Sequence, residues 1–270
     1  MTSPAAAVAR LSVMGGGRMG EALVTGLLSS GWGRPEDVVV VEPVASRRQE
    51  LSTHHAGLRV AAEAQAAEGT VVAVKPGDAE TACRAAAAAG AGRVLSIAAG
   101  VRLARLEEWL APGTAVVRAM PNTPALVGCG AAAIAPGRFA GDDDLSWAEG
   151  ILGAVGVVQR VDETLLDTVT GLSGSGPAYV LLVVEALIEA GVLGGLSRPV
   201  SRALVVQTVL GSARLVAETG EEPEALRAAV TSPGGTTAAG LRALEARAVR
   251  SAFLEAVVAA TERSRQLGGQ

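Results

Sequence analysis

Six consecutive residues near the N-terminus have the spacing of a dinucleotide-binding loop. The run GGGRMG matches G-x-G-x-x-G and separates an apolar segment from a stretch with helical spacing. In such a loop the first glycine permits a tight turn, the third lets the backbone approach a pyrophosphate, and the last lets the helix pack on the strand. The start of the helix offers free N–H donors. This context favours NAD(P) binding over a purely structural turn. The residues predicted to bind the coenzyme here are Met14, Gly15, Gly16, Gly17, Arg18, Met19 and Gly20.

Glu42 ends the second apolar segment, where the dinucleotide-binding pattern places an acidic residue. A carboxylate there accepts hydrogen bonds from the ribose hydroxyls and repels a 2′-phosphate, which favours NADH. Ser46, Arg47 and Arg48 follow, and their donors would hold a 2′-phosphate if Glu42 turned away, although adjacent arginines at a helix start are more often solvated. We predict that Glu42 and Arg47 bind the coenzyme, and the choice between NADPH and NADH stays open.

Two further segments end predicted strands at the same edge of the sheet. In open α/β sheets, ligands bind outside the carboxyl ends of the strands. Lys75 is the only lysine in the chain and lies where it would meet an anion, the alternative being a solvated lysine at a strand end. Small residues after the next strand leave room for a nicotinamide ribose. The additional residues predicted to bind the coenzyme are Ala73, Val74, Lys75, Pro76, Ile97, Ala98 and Ala99.

The spacing of apolar residues predicts the elements that position these segments. Up to about residue 161, short β-branched runs alternate with alanine-rich helical stretches, which is typical of βαβ units. Beyond it, apolar residues recur every three or four positions and predict helices alone. The sequence predicts an α/β fold, with an N-terminal Rossmann-type parallel-sheet domain (1–161) followed by an all-helical dimerisation domain (162–270). Because charged residues are few in these helices, we expect their apolar faces to be buried against another subunit.

The composition excludes several classes of protein. The 270 residues include 23 Lys+Arg and 27 Asp+Glu, so there is no basic surplus for nucleic acid. The longest uncharged stretch, residues 119–137, contains prolines and glycines that break a spanning helix, and the N-terminus lacks a signal-peptide pattern. Two cysteines and two adjacent histidines, His54 and His55, provide neither a disulfide framework nor spaced metal ligands. We therefore expect a cytoplasmic protein without a metal, membrane or nucleic-acid partner.

Four segments together closely resemble the Δ1-pyrroline-5-carboxylate reductase family. They are residues 73–76 (AVKP), 118–124 (RAMPNTP), 173–179 (SGSGPAY) and 230–237 (VTSPGGTT). The resemblance runs in order over nearly the whole chain. It implies an NAD(P)H-dependent oxidoreductase that passes a hydride to the imine carbon of 1-pyrroline-5-carboxylate and yields L-proline, the last step of proline biosynthesis. It also implies a helical domain that interleaves with its twofold mate, in a homodimer or a ring of dimers.

The last of these segments has the physical features of a carboxylate site. Pro233 stops the preceding turn, two glycines expose their backbone, and Thr236 starts a helix, so N–H donors converge at a positive helix end. The alternative is a hydroxyl N-cap and nothing more. In the 173–179 segment, Gly174, Gly176 and Pro177 force a break in the chain. The resemblance implies that Ser175, within this segment, lines the substrate pocket. The residues predicted to bind substrate are Ser232, Gly234, Gly235, Thr236, Thr237 and Ser175.

The resemblance implies two catalytic residues, Thr237 and Glu163. We expect the Thr237 hydroxyl to bond the ring nitrogen and position the imine, because a substrate that binds already protonated needs no strong general acid. Glu163 matches an acidic residue that the family uses near substrate and would stabilise the cation; the alternative is a carboxylate that complements a helix dipole. Met120 and Asn122 are expected to border the nicotinamide, with a structural turn as the competing interpretation.

Two alternatives remain at this point: a reductase of a related cyclic imine on the same scaffold, and a non-catalytic NAD(P)-binding sensor. The intact segment 234–237 argues against the sensor. A hydroxyacid dehydrogenase of the β-hydroxyacid type would need a lysine in the helical domain, which has none. The chain departs from the family pattern at Glu42-Pro43-Val44 and at Ala61-Ala62, where relatives often carry hydroxyl and amide side chains for an NADPH phosphate.

Overall fold

The computed structural model describes residues 8–269, which pack into two compact units. The first unit contains the chain up to Ser175 and the residues from Ala259 onward, and the second is Gly176–Val258. The boundary after residue 161 marks a change of sequence pattern and stays a prediction. The two packed units divide after Ser175, and the end of the last helix belongs to the first unit.

An eight-stranded sheet forms the centre of the first unit, in the order β3-β2-β1-β4-β5-β6-β7-β8. The strands are β1 Ala9–Met14, β2 Val38–Val41, β3 Arg59–Ala61, β4 Ala67–Val72, β5 Arg93–Ser96, β6 Ala115–Met120, β7 Gly130–Pro136 and β8 Gly156–Arg160. Within the group β1 to β6, every pair of neighbouring strands is parallel. Because β1 lies between β2 and β4, the strand order reverses there, and this switch point is where open α/β sheets bind ligands.

Helices cover both faces of the sheet, which explains why all four valines of β2 are buried. One core cluster contains Leu27 and Leu51, and the other contains Cys83 and Leu106. The helices of this unit are α1 Arg18–Ser29, α2 Ala45–His54, α3 Ala79–Ala88, α4 Leu103–Trp109, α5 Asp142–Leu152 and α6 Leu166–Val169. The prediction of a Rossmann-type domain is confirmed.

The sheet is parallel except at one pairing, between β6 and β7. β7 pairs with β6 in the antiparallel direction, and β8 is then parallel to β7. Residues 121–129 connect β6 to β7 through one 3₁₀ turn, Thr123–Val127. A parallel crossover needs about a dozen residues or more, so the short connection forces the chain to reverse.

The second unit is helical, as predicted. Its helices are α7 Gly176–Leu193, α8 Arg198–Thr219, α9 Pro223–Ala229, α10 Thr236–Glu245 and the first half of α11 Val249–Gly268. Helices α7 and α8 pack closely: the Ser201 hydroxyl donates to the Ile188 carbonyl oxygen at 2.8 Å. Large apolar side chains of this unit are exposed in the single chain. Leu182 is 66% exposed and Leu193 is 92% exposed. Such surfaces are typical of an interface with another subunit.

Glu163 bonds two groups of the protein in the structure, and its expected contact with substrate stays a prediction. Its Oε1 accepts hydrogen bonds from the Leu103 N–H at 2.7 Å and from Nη1 of buried Arg118 at 2.8 Å. The carboxylate therefore caps α4 and neutralises a guanidinium at the end of β6. These two hydrogen bonds explain why the residue at this position is a carboxylate, and the explanation requires no ligand.

Replacing Glu163 by Ala is expected to lower the free energy of unfolding by about 2 kcal/mol, because Arg118 would stay buried without its counter-charge. Glu163→Gln keeps an acceptor for Leu103 and should lose about half as much. Urea denaturation measures both. Glu149→Gln is the matched control, since it breaks the exposed pair with Arg160 and should change stability by less than about 1 kcal/mol. A Glu163→Gln variant with unchanged stability but strongly reduced turnover would support the predicted catalytic role.

Candidate active site

The geometry of the protein requires glycine at two positions of the G-x-G-x-x-G motif, Gly15 and Gly20. Gly15 has φ +108°, and a Cβ there would lie 2.7 Å from the Ala73 carbonyl oxygen. A Cβ on Gly20 would lie 2.1 Å from the carbonyl oxygen of Gly15, so α1 can begin here only without a side chain. At Gly17, by contrast, no protein atom lies within 4 Å of an added Cβ. The loop is therefore tight on the protein side and open where a ligand would approach.

The start of α1 fits an anion. Gly17 is its N-cap, and no side chain caps the helix. The N–H groups of Arg18, Met19 and Gly20 consequently have no acceptor in the described part of the chain, and they carry the positive end of the helix dipole. Arg18 is exposed and Met19 half-buried. These residues would hold the pyrophosphate of NAD(P)H.

Glu42 lies beside this loop at the end of β2, and it is 8% exposed. Its Oε2 accepts from the Gly16 N–H at 3.1 Å, and its Oε1 accepts from the Val44 N–H at 2.9 Å. A carboxylate oxygen has more than one acceptor site, so each can still accept from a ribose hydroxyl. The fixed negative charge at this position opposes a 2′-phosphate.

Both arginines after Glu42 bond acceptors of the protein, and the predicted contact of Arg47 with the coenzyme stays a prediction. Its Nε donates to the Gly16 carbonyl oxygen at 2.8 Å, and its two terminal nitrogens bond Glu21 and Glu50. Arg48 donates through Nη1 to the backbone oxygens of Glu42 and Pro43. Local acceptors thus engage both guanidinium groups. The contact with Glu21 was not predicted from the sequence, where its one signal is a carboxylate in the first turn of α1.

The strand ends of β4 and β5 meet where the sequence predicts. A cavity of about 530 Å³ is lined by Pro76, Ala99 and Ser175, three predicted site residues from separate segments. Ala73 and Val74 flank Gly15, and the Ile97 N–H bonds the end of β4. Met14 and Ala98 have buried side chains. Lys75 is exposed and, among residues 8–269, makes no ion pair.

Asn122 connects two parts of the first unit through its side-chain amide. Its amide nitrogen donates to the Ser173 carbonyl oxygen at 3.0 Å, and its amide oxygen accepts from the Ala131 N–H at 2.8 Å. Its predicted contact with the coenzyme stays a prediction. Met120 packs beside Gly174, where a Cβ would lie 2.7 Å from its terminal methyl. Asn122 and Met120 thereby hold the segment that carries Ser175.

The segment Ser232–Thr237 lies in the second unit and forms a tight turn before α10. The Gly235 N–H donates to the Ser232 carbonyl oxygen at 3.0 Å, and Gly234 has φ +69° after Pro233, as in a type II turn. Gly235 is the N-cap of α10, and no side chain caps this helix. The alternative of a hydroxyl N-cap is therefore not what the structure contains. The N–H groups of Thr236 and Thr237 have no acceptor among the described residues.

Two family models match the chain. The model described as pyrroline-5-carboxylate reductase dimerisation matches residues 163–267, and the one described as NADP oxidoreductase coenzyme F420-dependent matches residues 10–100. The first match assigns the exposed helices to a homo-oligomer. Two stretches, Glu163–Leu193 and Arg198–Thr219, are long and apolar enough to cross a membrane by length and composition alone, and both lie within that dimerisation region.

Similar proteins cover the whole chain. The pyrroline-5-carboxylate reductase of Synechocystis sp. is 46% identical over 265 residues, which cover 96% of this chain and 98% of that protein. The Mycobacterium tuberculosis enzyme is 44% identical over 288 residues, covering 96% and 97%.

Solved structures agree with these relatives. A pyrroline-5-carboxylate reductase from Coxiella burnetii matches with a TM-score of 0.91 at 35% identity, covering 96% of this chain and 98% of that one. The Plasmodium falciparum enzyme with NADP bound matches with a TM-score of 0.84 at 32% identity, covering 97% and 99%. The fold, the two uncapped helix starts and this similarity agree with one another. The chain belongs to the pyrroline-5-carboxylate reductase family.

Proposed function

We propose that α10 binds the substrate of this reductase through its N-terminus, while the first unit binds the coenzyme. The activity is that of the family: an oxidoreductase acting on a C=N bond, which reduces 1-pyrroline-5-carboxylate to L-proline with NADPH or NADH. The observation that carries the residue assignment is the uncapped start of α10 behind the turn at residues 232–235. We further propose that the enzyme works in the cytoplasm.

The turn at 232–235 explains how a carboxylate would bind. Gly234 is exposed, and its φ of +69° directs the chain so that the next N–H groups emerge at the helix end. The N–H groups of Thr236 and Thr237 then bond the substrate carboxylate, helped by the helix dipole. Ser232 contributes its hydroxyl from the same turn. A five-membered ring held by its carboxylate keeps its imine nitrogen within reach of a neighbouring side chain.

Thr237 is the side chain that we assign to the imine nitrogen. It is half-buried, whereas Thr236 is exposed. Its hydroxyl oxygen accepts a hydrogen bond from the protonated imine, which fixes the orientation of the ring and favours the charged form. When bound, NAD(P)H supplies the hydride that adds to the imine carbon. The nitrogen keeps its proton and becomes the secondary amine of proline, so no side chain has to donate one.

Thr237→Val removes the hydroxyl and keeps the shape of the side chain. We expect turnover to fall about tenfold or more, because a hydrogen bond to a charged group is lost, while the Kd for the coenzyme stays unchanged. Thr237→Ser retains the hydroxyl and should keep most of the activity. Steady-state rates and fluorescence titration of NADH measure the two effects. Equal losses in turnover and coenzyme affinity would contradict the assignment.

The coenzyme loop generates a paired prediction. Gly17→Ala should fold with wild-type stability, because its Cβ meets no protein atom and φ is −68°, yet it should weaken NADH binding by at least about tenfold by blocking the pyrophosphate. Gly20→Ala should weaken binding and also lower the melting temperature, because its Cβ overlaps the Gly15 carbonyl oxygen. Wild-type affinity in Gly17→Ala would mean that the coenzyme does not approach this backbone.

The charge of Glu42 predicts the coenzyme preference. With both arginines engaged elsewhere, we expect pyrroline-5-carboxylate to be reduced with both coenzymes but with a higher kcat/KM for NADH, measured by loss of absorbance of the reduced coenzyme. Glu42→Ala should lower kcat/KM for both, because Gly16 loses an acceptor, and should lower it less for NADPH. Absence of oxidation with either coenzyme would remove the proposed function. An unchanged NADH to NADPH ratio in Glu42→Ala would place Glu42 away from the ribose.

A further inference from the structure

The peptide groups around Gly16 are held by two oppositely charged side chains. The Gly16 N–H donates to Glu42 Oε2 at 3.1 Å, and the Gly16 carbonyl oxygen accepts from Arg47 Nε at 2.8 Å. Gly16 itself is buried, and a Cβ there would lie 2.5 Å from a methyl of Leu51. A glycine backbone is otherwise free to adopt many conformations. The two bonds restrict this freedom in the middle of the predicted pyrophosphate loop.

Arg47 is in turn fixed by carboxylates from two helices. Its Nη2 bonds Glu21 of α1, and its Nη1 bonds Glu50 of α2 at 2.8 Å. One guanidinium therefore connects the loop, the helix that follows it and the helix after β2. The Arg47 and Glu21 side chains are each 24% exposed, so water only partly screens this pair.

The Glu21 carboxylate has a second partner, Nδ1 of His54 at 3.0 Å. Burial alone would raise the pKa of Glu21, but the hydrogen bonds from His54 and Arg47 outweigh it, and the pKa lies below its ordinary value. Glu21 is consequently ionised at neutral pH. Arg47, Glu21 and Glu42 thus provide charge-assisted hydrogen bonds, which are stronger than neutral ones.

These contacts matter because the loop has to present N–H groups to a pyrophosphate. If the Gly16 carbonyl turned, the direction of the neighbouring N–H groups would change, and the coenzyme would have to pay for reordering the loop on binding. A loop held in the binding conformation avoids that cost, which appears as higher affinity.

We propose that Arg47 and Glu21 are positioning residues for the coenzyme, which fix the Gly16 carbonyl and so prepare the loop for the pyrophosphate that NADH and NADPH share. This inference rests on the proposed function, since it requires the loop to bind the coenzyme. It differs from a role for Arg47 as a 2′-phosphate ligand, because that role would affect NADPH alone.

Coenzyme titrations of four single variants separate these roles. Arg47→Gln is expected to raise the Kd for NADH and for NADPH by the same factor, about tenfold, with kcat at saturating coenzyme unchanged within about twofold. Glu21→Gln should raise both Kd values in the same way, by a smaller factor. Arg84→Gln and Glu80→Gln are the matched controls: they remove the same charges from an exposed pair on α3 and should leave both Kd values unchanged.

The double variant Arg47→Gln/Glu21→Gln supplies the remaining readout. The two residues act through one contact. Adding Glu21→Gln to Arg47→Gln should therefore raise the Kd by a smaller factor than Glu21→Gln raises it in the unaltered protein. Arg47→Lys, which has one donor centre and cannot bond the loop and both carboxylates, should restore only part of the affinity. If Arg47→Gln folds poorly, Glu21→Gln still tests the proposal, since it leaves the bond to Gly16 available.

The outcomes are distinct. A loss confined to NADPH in Arg47→Gln would overturn the proposal and make Arg47 a phosphate ligand. Unchanged Kd values with a lower melting temperature would overturn it in favour of a purely structural contact. If the unaltered protein bound neither coenzyme, the proposed function would fail, and that result is separate from any comparison among variants.

Discussion

The contact between Gly20 and the carbonyl oxygen of Gly15 determines where α1 can begin, and the coenzyme site follows from that position. A Cβ on Gly20 would lie 2.1 Å from this oxygen, so the first turn of α1 lies directly against the end of β1. This places the uncapped N–H groups of the helix at the switch point between β1 and β4. The strands, the loop and the helix dipole then direct positive charge to one place.

Charged side chains near the sheet edge of the first unit form hydrogen bonds with the protein backbone, and these bonds need no ligand. Glu42 receives N–H groups of Gly16 and Val44, Arg47 bonds the Gly16 carbonyl, and Glu163 caps α4 while it pairs with Arg118. Partly buried charges need such partners, because an unpaired one is costly. The same bonds hold the loops in fixed conformations, so charge contributes to binding indirectly, by restricting the backbone that contacts the ligand.

The sequence predicted most of the elements but not all of their directions. Buried strands of a parallel sheet are continuous β-branched runs, so a strand such as Val38–Val41 was identifiable. The direction of β7 was not, because a strand has the same pattern either way and only its short connection to β6 sets it. The glycine motif predicted its loop correctly, since the backbone at Gly15 and Gly20 leaves no room for a Cβ. The direction of the Arg47 side chain depends on Glu21, which is 26 residues away, and no local pattern encodes that contact.

The starts of α1 and α10 share features that relate to the proposed function. The first N–H of α4 bonds the Glu163 carboxylate. Helices α1 and α10 instead follow glycine N-caps, Gly17 and Gly235, without any side-chain acceptor. Glycine is nearly as good an N-cap as a hydroxyl residue, within a few tenths of a kcal/mol, but it leaves the N–H groups free. A helix that must bind an anion therefore sacrifices little stability by starting after glycine, whereas a side-chain cap would compete with the ligand for the same donors.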